Sequence, residues 1–257
     1  MQPSANHIAG KVYLIGAGPG AADLITLRGA RLLAQADVVL HDALVIEEML
    51  ELCPQAQKIA VGKRCGRLST AQNFINKQLI DNAKKHAVVV RLKGGDPMLF
   101  GRADEELSAL ELAGIEVEVV PGITTALAAA AATKQPLTKR GVARSVALFT
   151  SSTAPGENNE TRVPDSDTLV QYMGGKEAVL TAQRLLAAGR PADWPVVVVE
   201  NCSRDDQRIW RLQLSQLEQG LAECEGPVLV MMGESLRTRA SFAAQQAELP
   251  VLTYLSA

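Results

Sequence analysis

The chain has 257 residues, 47% hydrophobic and 21% charged, a balance that builds a packed core and excludes an intrinsically disordered protein. Its net charge of −2 provides no general basic field for nucleic acid or acidic membranes, so an anionic ligand must be met by a local cluster of Lys and Arg. No apolar run is long enough to span a bilayer, residues 1–10 lack a signal-peptide pattern, and Cys53, Cys65, Cys202 and Cys224 form no Cys-x-x-Cys, so a reduced, cytoplasmic protein without a membrane partner is expected.

From Lys11 onward, strand-like runs alternate with helical patterns. Apolar runs over 11–16, 37–41, 58–62, 87–92 and 116–120 read as strands. Amphipathic segments over 27–35, 45–52, 71–85 and 104–113 read as the helices between them. Thr26, Ser69 and Thr70 are N-cap candidates, and Gly114 stands where a C′ glycine belongs. The alternation predicts a mostly parallel sheet covered by helices. Pro121-Gly122 breaks it, an Ala-rich helix over 124–133 follows, and strands resume over 145–150, 168–173, 196–200 and 227–232. Residues 207–214 alternate like an antiparallel strand, and the polar stretch 151–167 reads as a surface loop or a lid. The expected fold class is α/β, as two α/β domains over residues 10–122 and 123–257.

Ligands of open α/β sheets bind beyond the carboxyl ends of the strands, so the chemistry is sought there. The strand over 87–92 runs into Arg91-Leu92-Lys93-Gly94-Gly95-Asp96-Pro97. Gly94 and Gly95 let the backbone lie against a ligand, Asp96 sets a carboxylate beside exposed amides, and Pro97 keeps the turn from closing into a helix. Taken alone, the same residues suit a tight β-to-α turn without a ligand.

The first strand ends in Gly16-Ala17-Gly18-Pro19-Gly20-Ala21, which formally matches the dinucleotide fingerprint G-x-G-x-x-A, with Asp42 ending the second strand as a ribose-binding acid would. Three features argue against NAD. Pro19 pushes Gly18 away from helical angles, the next helix signal waits until Thr26, and Asp23 would repel a pyrophosphate.

Asp42 is placed either for proton transfer or to cap the helix expected near Val45. Lys63, Arg64 and Arg67 put three cations within five residues beside two glycines, a composition suited to an anion. Thr124 and Thr125 open the Ala-rich helix with free amides and hydroxyls, and Lys139 and Arg140 add cations after Pro136. Tyr172-Met173-Gly174-Gly175 and Glu200-Asn201-Cys202 each follow a strand of the second half. Glycine-rich strand ends in both halves suggest a ligand cleft between two domains. His7, His41 and His86 are isolated, so no metal is expected.

With these residues in place, the chain resembles the class III S-adenosylmethionine (SAM)-dependent tetrapyrrole methylases, in their uroporphyrinogen-III C-methyltransferase branch. The matching stretches are 12–20, 37–45, 61–64, 90–106, 119–124, 136–140, 172–174 and 195–201. The most specific is Arg-Leu-Lys-Gly-Gly-Asp-Pro-x-x-Phe-Gly-Arg, ending at Arg102. The resemblance implies a tetrapyrrole methylase fold and SAM as methyl donor to two ring carbons of uroporphyrinogen III, giving precorrin-2 through precorrin-1. A later corrin-ring methylase is the near alternative, and an NAD-binding oxidoreductase the alternative from another class.

By the same resemblance, Pro19, Gly94, Gly95, Asp96, Leu99, Thr124, Thr125, Met173 and Cys202 would touch SAM. Asp42 and Lys63 would act as proton acceptor and donor, and Arg102, Glu105 and Arg140 would serve the porphyrinogen. A homodimer is implied, and no dehydrogenase/chelatase domain is expected ahead of residue 10. The chain departs from its relatives at Ser151-Ser152, where many have Gly-His, at Cys202, where they have glycine, and at Ala43, where some have arginine.

Overall fold

The computed structural model describes residues 10–61, 68–152, 162–175, 177–221 and 224–238, with the side chains of 68–71 outside the description. By packing the chain divides into two compact units, Met1–Thr125 and Ala126–Ala257, and the boundary expected after residue 122 falls in the loop just before that division.

In the first unit, β1 (Lys11–Gly16), β2 (Val38–His41), β3 (Gln57–Ala60), β4 (Val88–Lys93) and β5 (Val117–Val120) form a sheet in the order β3-β2-β4-β1-β5. Every pairing in it is parallel. The helices are α1 (Leu27–Leu33), α2 (Glu47–Leu50), α3 (Leu68–Ala83) and α4 (Ala103–Leu112). The central strands β1 and β4 are buried and mostly apolar because helices cover both faces. Val12, Leu14 and Val89 pack with Ile75, Leu79 and Leu110, while Ile15, Val90 and Leu92 pack with Leu33 and Met49.

Local capping sets the helix ends. The Thr26 hydroxyl accepts from the Gly29 amide at 3.1 Å and opens α1. Gly114, at φ +67, ends α4: its amide donates to the Glu111 carbonyl and the next amide, Ile115, to Leu110, both at 3.0 Å. Helix α3 begins at Leu68, so Ser69 and Thr70 lie inside its first turn instead of capping it.

In the second unit, α5 (Thr125–Thr133, its first residue closing the first unit) leads to β6 (Val146–Thr150) and β7 (Thr168–Tyr172). Then come α6 (Glu177–Ala187), β8 (Pro195–Glu200), β9 (Arg208–Gln213), α7 (Leu214–Gln219) and β10 (Val228–Gly233), and the strand order is β6-β7-β10-β8-β9.

Only β6–β7 is parallel; the other pairings are antiparallel. The cause is β10, which inserts antiparallel between β7 and β8. These two still run the same way, as a β-α-β crossover requires, but without touching. Strand β9 pairs antiparallel with β8, as the alternation over 207–214 implied. Among the described residues, no helix is long and apolar enough to cross a membrane.

Candidate functional site

The carboxyl ends of β1, β4 and β5 meet backbone against backbone. The Gly18 amide donates to the Gly95 carbonyl at 3.1 Å, and the Gly95 amide returns the bond to Gly18 at 2.7 Å. A Cβ at Gly122 would lie 2.2 Å from the Gly95 oxygen and 2.7 Å from the Gly16 Cα, so no side chain fits between these loops. Gly95 has φ +69, a left-handed conformation that L side chains adopt only under strain, and a Cβ there would meet open space. The conformation, not crowding, explains that glycine.

Asp96 fastens the arrangement. Its Oδ1 accepts from the Met98 amide at 2.8 Å, and its Oδ2 accepts from the Gly122 amide at 2.9 Å. The carboxylate foreseen beside exposed amides therefore ties the β4 loop to the β5 loop. Gly18, at φ +79, is followed by Pro19, a single 3₁₀ turn over Ala22–Leu24, and then α1. No helix starts at the glycines, so the amides that would face a dinucleotide pyrophosphate are not assembled.

Asp42 follows β2, next to β4 in the sheet. Helix α2 is entered through Ile46 without a side-chain cap, so Asp42 is not its cap. Its Oδ1 instead pairs with Nη2 of Arg91. Arg91 Nε donates to Glu106 Oε1 at 2.9 Å, and Lys93 Nζ to Glu106 Oε2 at 2.8 Å. Gln72 of α3 adds a bond from its Nε2 to Glu106 Oε1 at 3.3 Å.

Arg91, Lys93 and Glu106 are buried, whereas the Asp42 side chain is 30% exposed. Burial opposes the Arg91 cation, but the Asp42 and Glu106 carboxylates outweigh it and raise its pKa. Burial, and then the neighbouring Arg91 cation, lowers that of Lys93.

Arg91, Lys93 and Glu106 were not singled out from the sequence. The available signal was the alternation Val89, Arg91, Lys93, which puts two charges on one face of a strand buried on both sides.

Of the other residues, Lys63 and Arg64 lie outside the described residues, as does most of the polar stretch 151–167. Leu99 donates its amide to the Asp96 carbonyl at 3.3 Å, placing it in the same β4 loop. Thr124 and Thr125 stand where the β5 loop enters α5. Arg102 and Glu105 pair with each other at 2.6 Å on an exposed surface, and Arg102 takes a left-handed φ of 55. Arg140 is exposed, in a turn closed by Lys139 and Ala143.

In the second unit, Met173 follows β7 half-exposed at φ 53, a conformation uncommon for a non-glycine residue. Cys202 follows β8 and is 3% exposed, packed with Leu137, Val199 and Met231. Its thiol therefore faces the core of its own unit, and burial pushes its pKa up to about 11. Its loop is anchored by Glu200, whose Oε1 accepts from the Glu225 and Gly226 amides at 2.7 Å each. Among the described residues, no group of His, Cys, Asp and Glu is arranged to hold a metal ion.

Known proteins resemble this chain along most of its length. The family Tetrapyrrole (Corrin/Porphyrin) Methylases matches residues 11–218. The uroporphyrinogen-III C-methyltransferase of Pseudomonas aeruginosa is 42% identical over 234 residues, covering 90% of this chain and 96% of that one. The siroheme synthase of Actinobacillus pleuropneumoniae is 42% identical over 242 residues, 93% of this chain but 50% of the synthase; the chain spans about half the length of such relatives.

Among solved structures, the Thermus thermophilus uroporphyrin-III C-methyl transferase complexed with S-adenyl homocysteine matches with a TM-score of 0.77 and 40% identity, over 89% of this chain and 94% of that one. A cobalt precorrin-4 methyltransferase of cobalamin biosynthesis matches with a TM-score of 0.76 at 28% identity, over 93% of this chain and all of that one. With two α/β units and glycine-rich strand ends in place, the chain belongs to the tetrapyrrole (corrin/porphyrin) methylase family.

Proposed function

We propose that this chain transfers methyl groups from SAM to two ring carbons of uroporphyrinogen III, giving precorrin-2 by way of precorrin-1. The observation that carries this reading is the junction of bare backbone at Gly18, Gly95 and Gly122, with the Asp42 carboxylate at the adjoining strand end, in a chain aligned along 96% of the Pseudomonas aeruginosa enzyme. The higher identity to the uroporphyrin enzyme than to the precorrin-4 enzyme, 40% against 28%, favours the earlier substrate.

The residues fit SAM. The open space at Gly95 lets a ligand approach the chain closely, and the two oxygens of Asp96 are already engaged with amides, so the loop keeps its shape. In this reading Pro19, Gly94, Gly95, Asp96, Leu99, Thr124 and Thr125 of the first unit hold the methyl donor. When bound, SAM supplies an electrophilic methyl, whose transfer to carbon depends on alignment.

Asp42 takes up the proton that a bridge carbon of the macrocycle must lose, and Lys63 is its partner donor. Arg102 and Arg140 bind substrate carboxylates, with Glu105 holding Arg102 until they arrive. The same reading takes the protein as a cytoplasmic homodimer, with residues 10–122 and 123–257 as its domains.

The test is anaerobic incubation with uroporphyrinogen III and SAM, followed by mass spectrometry of the tetrapyrrole. Two added methyl groups are expected. Methylation of a precorrin substrate with none of uroporphyrinogen III would move the chain to the later branch.

A further inference from the structure

We propose that Glu106 is a positioning residue: through Arg91 it fixes the Asp42 carboxylate in one orientation against a cation. The proposal rests on the reading of Asp42 as proton acceptor.

Glu106 is fully buried on the inner stripe of α4, between Ala103 and Leu110, where an apolar residue would pack. One carboxylate oxygen accepts from Arg91 Nε and Gln72 Nε2, and the other from Lys93 Nζ. Arg91 is committed at every nitrogen. Nη1 donates to the Leu92 carbonyl at 3.2 Å and to Leu40 at 3.4 Å, Nε meets Glu106, and Nη2 meets Asp42. A planar guanidinium held at all of these points has one orientation, so the nitrogen presented to Asp42 is placed by contacts on its far side.

Stability alone gives a poor account of this cluster. Buried ion pairs are often no more stable than apolar residues of the same volume. The quartet balances, two carboxylates against two cations, and it is polarised in space. Arg91, Lys93 and Glu106 are sealed at 3% side-chain exposure or less, and Asp42 alone reaches solvent. A group that takes a proton from carbon and passes it to water needs that arrangement: a fixed inner end and an open outer one.

Among the described residues, the charged groups facing Asp42 are Arg91 and Lys93 from β4 and, behind them, Glu106 from α4. His41, on its own strand, places Nδ1 3.2 Å from the Asp42 carbonyl.

The test compares Arg91→Met and Glu106→Gln with the parent in the full chain. Each substitution is also made in an Asp42→Asn background. Turnover should fall by roughly tenfold in each single variant, short of the 10²–10⁴ expected for losing the acid–base group itself. Combined with Asp42→Asn, where no proton acceptor remains to be oriented, the same substitutions should cost less than about twofold more. Affinity for S-adenosylhomocysteine should stay within about twofold, since none of the quartet belongs to the glycine loops.

A merely structural role would lower the melting temperature and cost the same turnover with Asp42 as without it. If the two costs are equal, or if both variants turn over at the parent rate, the proposal is overturned. Glu106→Gln keeps the shape of the side chain and decides alone should Arg91→Met not fold. Full turnover in Asp42→Asn would remove the acceptor reading itself. A slow Asp42→Asn with costs that simply add would remove only the positioning role.

Discussion

Asp96 and Gly122 are joined by one hydrogen bond, carboxylate oxygen to amide at 2.9 Å, that closes the ends of β4 and β5 onto each other. The other oxygen of Asp96 already serves the Met98 amide, so both acceptors face donors. Asn at this position has one acceptor, and its amide group would meet an N–H head-on. Asp96→Asn should cost about 1–3 kcal/mol, the scale of losing a charge-assisted hydrogen bond and stranding a donor. Chemical denaturation measures the cost. Calorimetry should show weaker S-adenosylhomocysteine binding, and an unchanged midpoint would mean that the loop holds its shape without this bond.

Gly122→Ala tests the same junction sterically. The new methyl would stand 2.2 Å from a backbone oxygen and 2.7 Å from a backbone Cα, neither of which is the end of a flexible side chain. The loops must part, and overpacking of this kind costs about 1–3 kcal/mol. Gly95→Ala is the useful contrast: it meets no atom and is penalised only for its left-handed φ, by roughly 1 kcal/mol. Melting temperatures should therefore rank parent, Gly95→Ala, Gly122→Ala, in falling order.

What could be read from the sequence divides by the range of the interaction. The Thr26 cap and the Gly114 terminus are settled within a few residues, and both stood where the sequence placed them. The parallel first sheet followed from alternation of apolar runs and helices. The position of β10 did not: nothing in Val228–Gly233 says that it will separate β7 from β8. Glu106 was hidden for the same reason. Read along α4 it is one of three acids in the first turn, and its partners Arg91 and Gln72 lie 15 and 34 residues away. Asp42 could be located at a strand end, but its pairing with Arg91, 49 residues along the chain, could not.

Asp42→Asn is expected to lower turnover by roughly 100-fold while leaving S-adenosylhomocysteine affinity nearly intact, the scale of removing a general base. Stability should fall as well, because the buried Arg91 loses a counterion even though Asn still accepts its hydrogen bond. Rapid-quench measurement of methyl incorporation, beside calorimetry, separates the two effects. An Asn variant that turns over at the parent rate would deprive Asp42 of any part in the chemistry.

Arg102→Ala and Arg140→Ala should weaken porphyrinogen binding and spare the methyl donor. The Arg102–Glu105 pair is exposed, so its loss should cost the fold at most about 1 kcal/mol. A charge-assisted contact to a substrate carboxylate is worth about 1.5–3 kcal/mol, so KM should rise by roughly tenfold or more for either variant. Loss of S-adenosylhomocysteine affinity with KM unchanged would assign these arginines to the cofactor instead.

The thiol of Cys202 lies in the core of the second unit. Its side chain is buried with Leu137, Val199 and Met231, so substitution should act first on stability. Cys202→Leu overpacks the cluster by about 1–3 kcal/mol, and Cys202→Gly leaves a small cavity yet should keep S-adenosylhomocysteine affinity. Burial also raises the thiol from its ordinary 9.0 to about 11. A group whose folded pKa lies above its unfolded one contributes stability that is complete below the unfolded value and is lost as pH rises through the folded value. For Cys202 that window runs from about pH 9 to about pH 11. The shift corresponds to roughly 2–3 kcal/mol at the alkaline end. Other groups titrate there too, so the informative quantity is the difference from Cys202→Ala. Between pH 8 and 11 the parent should lose more denaturation free energy than the alanine variant by about that amount. Parallel curves for the two proteins would mean that the thiol is not held in the core.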